Sequence, residues 1–405
     1  MHGFKSPCLL LLLMVVHLPL YVYAESWKWI VYGDTRSNDF VHRQILLSIV
    51  NKSPDYKFII NTGDCVAHGD IRSEWEDFEK ACNDLLGGMG QDQIPPKYMA
   101  CPGNHDATRS SIGLANWIDF LQGQAREYGN DGLYFVFDYK NARFVIMDSD
   151  NSSITGPQYD MLLDAVKHNP KTWFFVFWHH PIFDFGPKSY QDSLHNTWGV
   201  PLYLSGCDII FNGHAHYYVR TKKLKLNGDK NPPLDPENGT VQIVTGTGGA
   251  DLVQVYPDHD GNGYMLASDT SDYGYCELTV EEKILRVKFI LKNGTVVDEA
   301  IYNPNPKSDI SITLISENAG SQLLQNHPNP FNSTTIIKFQ NIKHGNVNLS
   351  VYNLRGELVS NLISERLLKG FYHVEFDASS LSSGVYFYRL VSLKTVVTNK
   401  MILMR

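Results

Sequence analysis

Residues 31–36 read VYGDTR, a short apolar run that enters Gly33 and ends on the carboxylate of Asp34. A strand that stops on Gly-Asp is a common way for an α/β sheet to place a ligand just beyond a strand end. The pattern recurs as GDCVAHG from Gly63, GNHD from Gly103, WHHP from Trp178 and NGHAH from Asn212. Each motif follows an apolar run, so Asp34, Asp64, Asn104, His179 and His214 are expected at or just past strand C-terminal ends. A glycine before a ligand removes Cβ crowding and permits a sharp turn into a shared cleft. Taken singly, each motif is an ordinary turn. Five in this order, each after a strand, argue for one site.

Working outward, WKWIVY, YKFII, KYMA, RFVIM, TWFFVFW and CDIIF read as strands. Between them, Val41, Ile45, Leu46 and Ile49 recur at helical spacing, and Trp75, Phe78, Cys82 and Leu85 mark a second helix face. Such alternation predicts sheet layers covered by helices. After Tyr217 the pattern changes to strands and turns. Residues 303–325 carry few long apolar runs and read as a linker. From Asn326, short strands such as VNLSVY and GVYFYRL, separated by turn signals, predict a small β-sandwich.

The 405-residue length is consistent with two domains, and 43% hydrophobic content with buried cores. A formal net charge of -8 argues against nucleic acid as a partner and against acidic membranes. A phosphate-bearing substrate would therefore need a local positive centre. At the N-terminus, Lys5, the apolar CLLLLLMVVHLPL and VYA ending at Ala24 predict a signal peptide over residues 1–24. That apolar run is short and broken by Pro19, so no transmembrane helix is expected in the mature chain. The mature chain would keep Cys65, Cys82, Cys101, Cys207 and Cys276, an odd and scattered set that is no disulfide framework. Carboxylate, amide and imidazole donors without a cysteine cluster suit manganese, iron or zinc rather than a structural zinc knot.

The series GD…GD…GNHD…HHP…GHAH resembles the calcineurin-like metallophosphoesterase superfamily, nearer its purple-acid-phosphatase-like bacterial branch than its nucleases. The resemblance covers about residues 27–300. It implies a four-layer α/β/β/α sandwich over residues 25–302, with two divalent or trivalent metal ions at one edge of the two sheets. By position it implies Asp34 and His216 on the first metal and Asp64 as the bridge. Asn104, His179 and His214 would complete the second. His105 matches the histidine that contacts phosphate and protonates the leaving oxygen, and Asp106 the residue that orients it. The implied activity is hydrolysis of phosphate monoesters or diesters by metal-activated hydroxide.

The chain departs from that pattern twice. Many members place a histidine two residues after the first Asp, where this chain has Arg36. Purple acid phosphatases place a tyrosine three residues after the bridging Asp, where this chain has Ala67, so no tyrosinate colour is expected. The first metal is left with Asp34, Asp64 and His216, and His68 is a further candidate beside it. Arg36 reads either as a solvent-facing or ion-paired residue, or as a bidentate grip on phosphate oxygens. His180 reads as a substrate contact or a structural neighbour. Trp117, Tyr128, Phe183, Phe185, Tyr190 and Trp198 lie in loops that would cover the site, with core packing as their alternative fate.

Residues 326–405 contain NHPNPFNSTTIIKF, VNLSVYNLRGELV, SSGVYFYRL and a final KMILMR. They resemble the C-terminal sorting domain of the type IX secretion system, an immunoglobulin-like sandwich. That resemblance implies cargo of the Bacteroidetes and allied bacteria. Such cargo reaches the periplasm by its signal peptide, engages the type IX secretion machinery and ends secreted or surface-attached. The competing function is a surface binding protein on a degenerate phosphoesterase scaffold, a reading supported by the missing first-metal ligand.

Overall fold

The computed structural model describes residues 26–307 and 321–404, apart from 107, 152–155, 168, 188–193, 228–230, 257–261, 343–344, 368–369 and 393–394. The expected signal peptide and most of the expected linker lie outside the described residues, as does Tyr190.

Strands β1 (Trp27–Tyr32), β2 (Tyr56–Asn61) and β3 (Tyr98–Ala100) run parallel. A second sheet follows, built from β4 (Phe135–Tyr139), β5 (Ala142–Ile146), β6 (Trp173–Phe177), β7 (Ile209–Asn212), β8 (Tyr218–Thr221), β9 (Val241–Thr245) and β10 (Met265–Asp269). Its order is β10-β8-β9-β7-β6-β5-β4, with β5, β6, β7 and β9 parallel. Strands β11 (Gly274–Glu281), β12 (Ile284–Leu291) and β13 (Val296–Tyr302) return to the first sheet and pair antiparallel beside β1. The parallel order of β1–β3 and of β5–β7 sends their C-terminal ends, and the motifs that follow them, to one side of each sheet.

Alternation along each strand sorts side chains into layers. Trp29 and Val31 face between the sheets, where Trp29 meets Phe144, Phe175, Phe177 and Phe211 at ring separations of 5.1 to 5.6 Å. Ile30 and Tyr32 face outward and pack with Val41, Ile45 and Ile49 of α1 (Asp39–Lys52) and Trp75 and Phe78 of α2 (Arg72–Leu86). On the far side, Phe174 and Val176 meet Tyr159, Leu162, Leu163 and Val166, which lie on a helix over Pro157–Lys167. The result is the expected four-layer α/β/β/α sandwich. Both helix faces read from the sequence are core, with Leu85 at its margin. Among the loop aromatics, Trp117, Phe183, Phe185 and Trp198 are buried in the core, and Tyr128 stacks on Phe135 at 4.5 Å. They pack rather than line a cleft. The five cysteines among the described residues are free and buried.

In the C-terminal region, β14 (Gln322–Leu323), β15 (Thr334–Asn341) and β18 (Gly370–Asp377) form one sheet. Strands β17 (Leu358–Leu367), β16 (Gly345–Tyr352), β19 (Gly384–Ser392) and β20 (Thr395–Leu403) form another. Ile337, Phe339 and Phe376 of the first share a core with Leu349, Tyr388 and Met401 of the second, as a sandwich requires. The boundaries differ from the sequence reading at both ends of the linker. Asn305 donates to the Cys207 and Gly239 carbonyls, and Lys307 pairs with Asp208 at 2.6 Å, so residues 303–307 are docked on the first domain. Gln322 and Leu323 already pair with β15. These ties are made by polar and backbone groups, which leave no apolar signature. No helix among the described residues is long and apolar enough to cross a membrane.

Two histidines of this core make a prediction. His42 lies buried with its ring stacked on Phe78 and its Nε2 3.1 Å from the Tyr32 hydroxyl. Burial, helped by Arg43, pulls its imidazole down to about 3, and burial pulls His195 down to about 4. Above pH 6.5 both rings are neutral whether folded or unfolded, so they carry no cost. Below it the unfolded chain takes up protons that the fold excludes, and stability is lost as pH falls. At about pH 5 the loss is roughly 2 kcal/mol for each ring. The thermal midpoint is expected to fall between pH 7 and 5, less steeply in His42→Gln. Equal slopes for the two proteins would contradict the assignment to His42.

Candidate metal centre

Asp34 follows β1 and Asp64 follows β2, whereas His179 follows β6 and His214 follows β7. The two sheets therefore deliver their ligands from opposite sides to one point. Asp34, Asp64 and His214 sit at φ of 57°, 56° and 65°, a region L-residues rarely adopt and one that marks functional sites when surroundings enforce it. The glycines before the ligands are needed for space. A Cβ on Gly103 would lie 2.3 Å from the Asp64 nitrogen and Oδ1, and one on Gly213 would lie 2.4 Å from Asp34 Oδ2.

Asp34, Asp64 and His179 are all buried, and one ligand atom from each lies within 4.8 Å of the others. His179 Nε2 is 3.3 Å from Asp64 Oδ1 and 3.2 Å from His214 Nδ1. Asp34 Oδ2 accepts from the His214 backbone N–H at 2.9 Å, while its Oδ1 is buried without a hydrogen-bond partner and 3.4 Å from His216 Nε2. The far sides of the rings fix their tautomers. His179 Nδ1 lies 2.9 Å from the Thr62 carbonyl, and His216 Nδ1 lies 2.9 Å from that of Asp251. A carbonyl only accepts, so each Nδ1 carries hydrogen and each Nε2 is the ring atom turned toward the cluster, an arrangement that could support a metal-bound histidine. An orphaned carboxylate oxygen, a second buried carboxylate and correctly oriented imidazoles fit a cation.

The electrostatics agree. Burial alone would lower His179, but the Asp64 carboxylate beside it, with Asp34, raises it to about 9. Burial likewise works against ionised Asp64, yet His179 and the His105 backbone N–H hold that carboxyl well below the usual range. Two buried carboxylates thus draw positive charge into the site.

Asp106 differs from its expected part. His105 places Nδ1 2.9 Å from the Ala67 carbonyl, which holds the ring in place of Asp106. The Asp106 carboxylate instead accepts four backbone N–H groups: Gly103 at 2.8 Å, Cys65 at 2.9 Å, Asp64 at 3.0 Å and Val66 at 3.4 Å. It clamps the loop that presents Asp64. Burial and the neighbouring Asp64 charge push Asp106 up to about 7, against the pull of those N–H donors.

Asn104, between Gly103 and His105 on the loop after β3, is exposed. His180 is held by Ser149 at 2.8 Å, and its ring centre lies 4.2 Å from that of His214, a supporting position. His68 turns away from the centre to an exposed pair with Glu74 at 2.8 Å. Glu74 also accepts the Ala67 and His68 backbone N–H groups, which accounts for that orientation. Arg36 turns inward. Its Nε donates to Asp64 Oδ2 at 3.1 Å and its Nη2 lies 3.3 Å from His216 Nε2. The supporting carbonyls of Thr62, Ala67 and Asp251, and Ser149 behind His180, carried no sequence signal.

Residues 28–218 match the family model described as calcineurin-like phosphoesterase, and residues 239–299 match that of iron/zinc purple acid phosphatase-like protein C. Residues 325–404 match the secretion system C-terminal sorting domain. Purple acid phosphatase 18 of Arabidopsis thaliana is 28% identical over 163 residues, 38% of this chain and 36% of that protein. Probable inactive purple acid phosphatase 1 of Arabidopsis thaliana is 25% identical over 296 residues, 64% of this chain and 45% of that protein. The chain thus spans less than half the length of either relative. A purple acid phosphatase from yellow lupin (Lupinus luteus) seeds has a similar fold, with a TM-score of 0.54 at 17% identity, covering 70% of this chain and 54% of that one.

Proposed function

We infer, for a chain whose residues 28–218 match the calcineurin-like phosphoesterase family model, that this protein is an exported, metal-dependent hydrolase of phosphate monoesters or diesters. The observation that carries this reading is the convergence of Asp34, Asp64 and His179 from the strand ends of two sheets. His214 and His216 stand beside them as further candidate donors, and Asn104 on the exposed loop after β3 is a third. Manganese, iron or zinc bound there supplies Lewis-acid polarisation of a phosphoryl oxygen and hydroxide at neutral pH. The protein's own part is to hold the donors rigid, through the Asp106 clamp and the carbonyls behind His179 and His216. His105, fixed through Nδ1 on Ala67, keeps Nε2 as the atom that carries a proton to the leaving oxygen. The sorting domain supports export through the type IX machinery, after a periplasmic step set by the signal peptide.

Arg36 favours a second reading, a surface binding protein on a degenerate scaffold, as does the word inactive in one relative's name. Hydrolysis separates the two. Purified protein supplied with Mn²⁺, Fe²⁺ or Zn²⁺ is expected to cleave an aryl phosphate monoester or diester. His214→Ala should lower that rate more than about 100-fold with circular dichroism unchanged. Metal-loaded protein that turns over neither ester would favour the binding scaffold.

A further inference from the structure

Arg36 occupies a position that the phosphoesterase reading leaves unexplained. Its side chain is only 18% exposed. The guanidinium spans two groups that family resemblance assigns to the first metal. Nε donates to Asp64 Oδ2 at 3.1 Å, and Nη2 reaches His216 Nε2 at 3.3 Å. Because His216 Nδ1 donates to the Asp251 carbonyl, the atom facing Nη2 is the ring's lone pair, the one a metal would take. The other oxygen of Asp64 faces His179. The bridging carboxylate is therefore divided, with imidazole donors on one side and a fixed cation on the other.

The placement is built rather than incidental. The Arg36 backbone N–H donates to the Asp64 carbonyl at 3.3 Å, and the Thr35 hydroxyl donates to Cys65 at 2.9 Å. From the opposite side, Gly248 donates to the Gly33 carbonyl at 2.8 Å and Ala250 to that of Asp34 at 2.9 Å. A Cβ on Gly249 would lie 2.6 Å from the Thr35 carbonyl oxygen, so this loop presses directly on the segment that carries Arg36.

We propose that Arg36 is the resident cation of the first-metal half of the site, so that the protein holds one tightly bound metal ion on the His179 side and a guanidinium where a second ion would sit. The proposal rests on the metal-dependent reading above and specifies its stoichiometry. Arg36 neutralises the Asp64 carboxylate from the first-metal side and occupies the ligating nitrogen of His216. A second ion can enter only by displacing both charge-assisted contacts.

Metal content tests this without reference to turnover. Protein loaded with excess Mn²⁺ and freed of unbound ion by gel filtration is expected to retain one equivalent per chain. Its electron paramagnetic resonance spectrum should be that of isolated Mn²⁺. Arg36→His is expected to retain two equivalents with an exchange-coupled signal, and to bind the second ion at least about 100-fold tighter than wild type. Arg36→Ala should also open the second place. Two equivalents and a coupled signal in wild type overturn the proposal while leaving the phosphoesterase reading intact. One equivalent in wild type and in both variants also overturns it, since Arg36 would not be what excludes the second ion. No retained metal in wild type would defeat the metal-dependent reading as well. The wild-type count stands even if a variant fails to fold.

Discussion

Asp64→Asn is expected to lose metal binding and phosphate-ester turnover together, each by more than about 100-fold. Loss of a group that merely supports a ligand already costs about 10- to 100-fold in metal affinity, and Asp64 is proposed as a direct donor. Both of its oxygens are engaged. Oδ1 accepts the His105 backbone N–H at 2.9 Å and faces His179, while Oδ2 accepts from Arg36. An amide there sets a donor against one of these donors and removes the charge that holds a cation. A second readout needs no metal. With Asp64 neutral, His179 should fall from about 9 toward or below its ordinary 6.5, because burial then acts with less opposition. The sign of the pH dependence follows. A histidine raised on folding adds stability that is full below 6.5 and fades as pH rises through about 9. A carboxylate lowered on folding adds stability that is present above its ordinary 3.8 and is lost as acid titrates it. The stability gap between metal-free wild type and Asp64→Asn should therefore be widest from about pH 4 to 6.5 and close toward about pH 9. A variant that kept its metal, or a His179 titration that did not move, would remove Asp64 from the centre of the site.

Asp106→Ala should produce the larger loss of stability. The carboxylate is fully buried and is the shared acceptor for four backbone N–H groups around the Asp64 loop. Each buried donor left without an acceptor costs about 1–3 kcal/mol. Water entering the vacated space offsets part of this, so the net loss is expected near 3–5 kcal/mol. For a domain of this size that corresponds to a fall in thermal midpoint of roughly 10 °C. Asp106→Asn retains one carbonyl oxygen and should fall between the two. Metal affinity should drop with stability in both variants, because the clamp holds Asp64 at its φ of 56°. The informative contrast is with His105→Ala, which breaks one bond to Ala67 and should leave the midpoint nearly unchanged. If the two alanine variants had the same midpoint, Asp106 would not be the clamp.

Much of this molecule was legible in its residues. The apolar runs ending on Gly-Asp became β1 and β2 with Asp34 and Asp64 at their ends, and TWFFVFW became β6 with His179 beyond it. The helical spacing of Val41, Ile45 and Ile49, and of Trp75, Phe78 and Cys82, marked the covering layer. Those readings succeed because strand and helix periodicity is set by backbone geometry over a few residues. The same holds for the glycines, whose missing Cβ has a local cause.

Other features waited for the tertiary structure. Asp106, adjacent to His105, was expected to orient it, but its carboxylate turns to the backbone of residues 64–66. The partners that fix His105, His179 and His216 are the carbonyls of Ala67, Thr62 and Asp251, a group every residue carries, so no residue type announces them. His68 and Arg36 both stood near the site in sequence. Glu74 draws one outward, and Asp64 and His216 hold the other inward, a distinction made by groups 28 and 180 residues from Arg36 along the chain. The sequence by itself thus determined which side chains could ligate and where on each strand they would stand. Only the packing of two sheets face to face decided which of them meet, because a metal centre is a property of distances between segments that local periodicity does not encode.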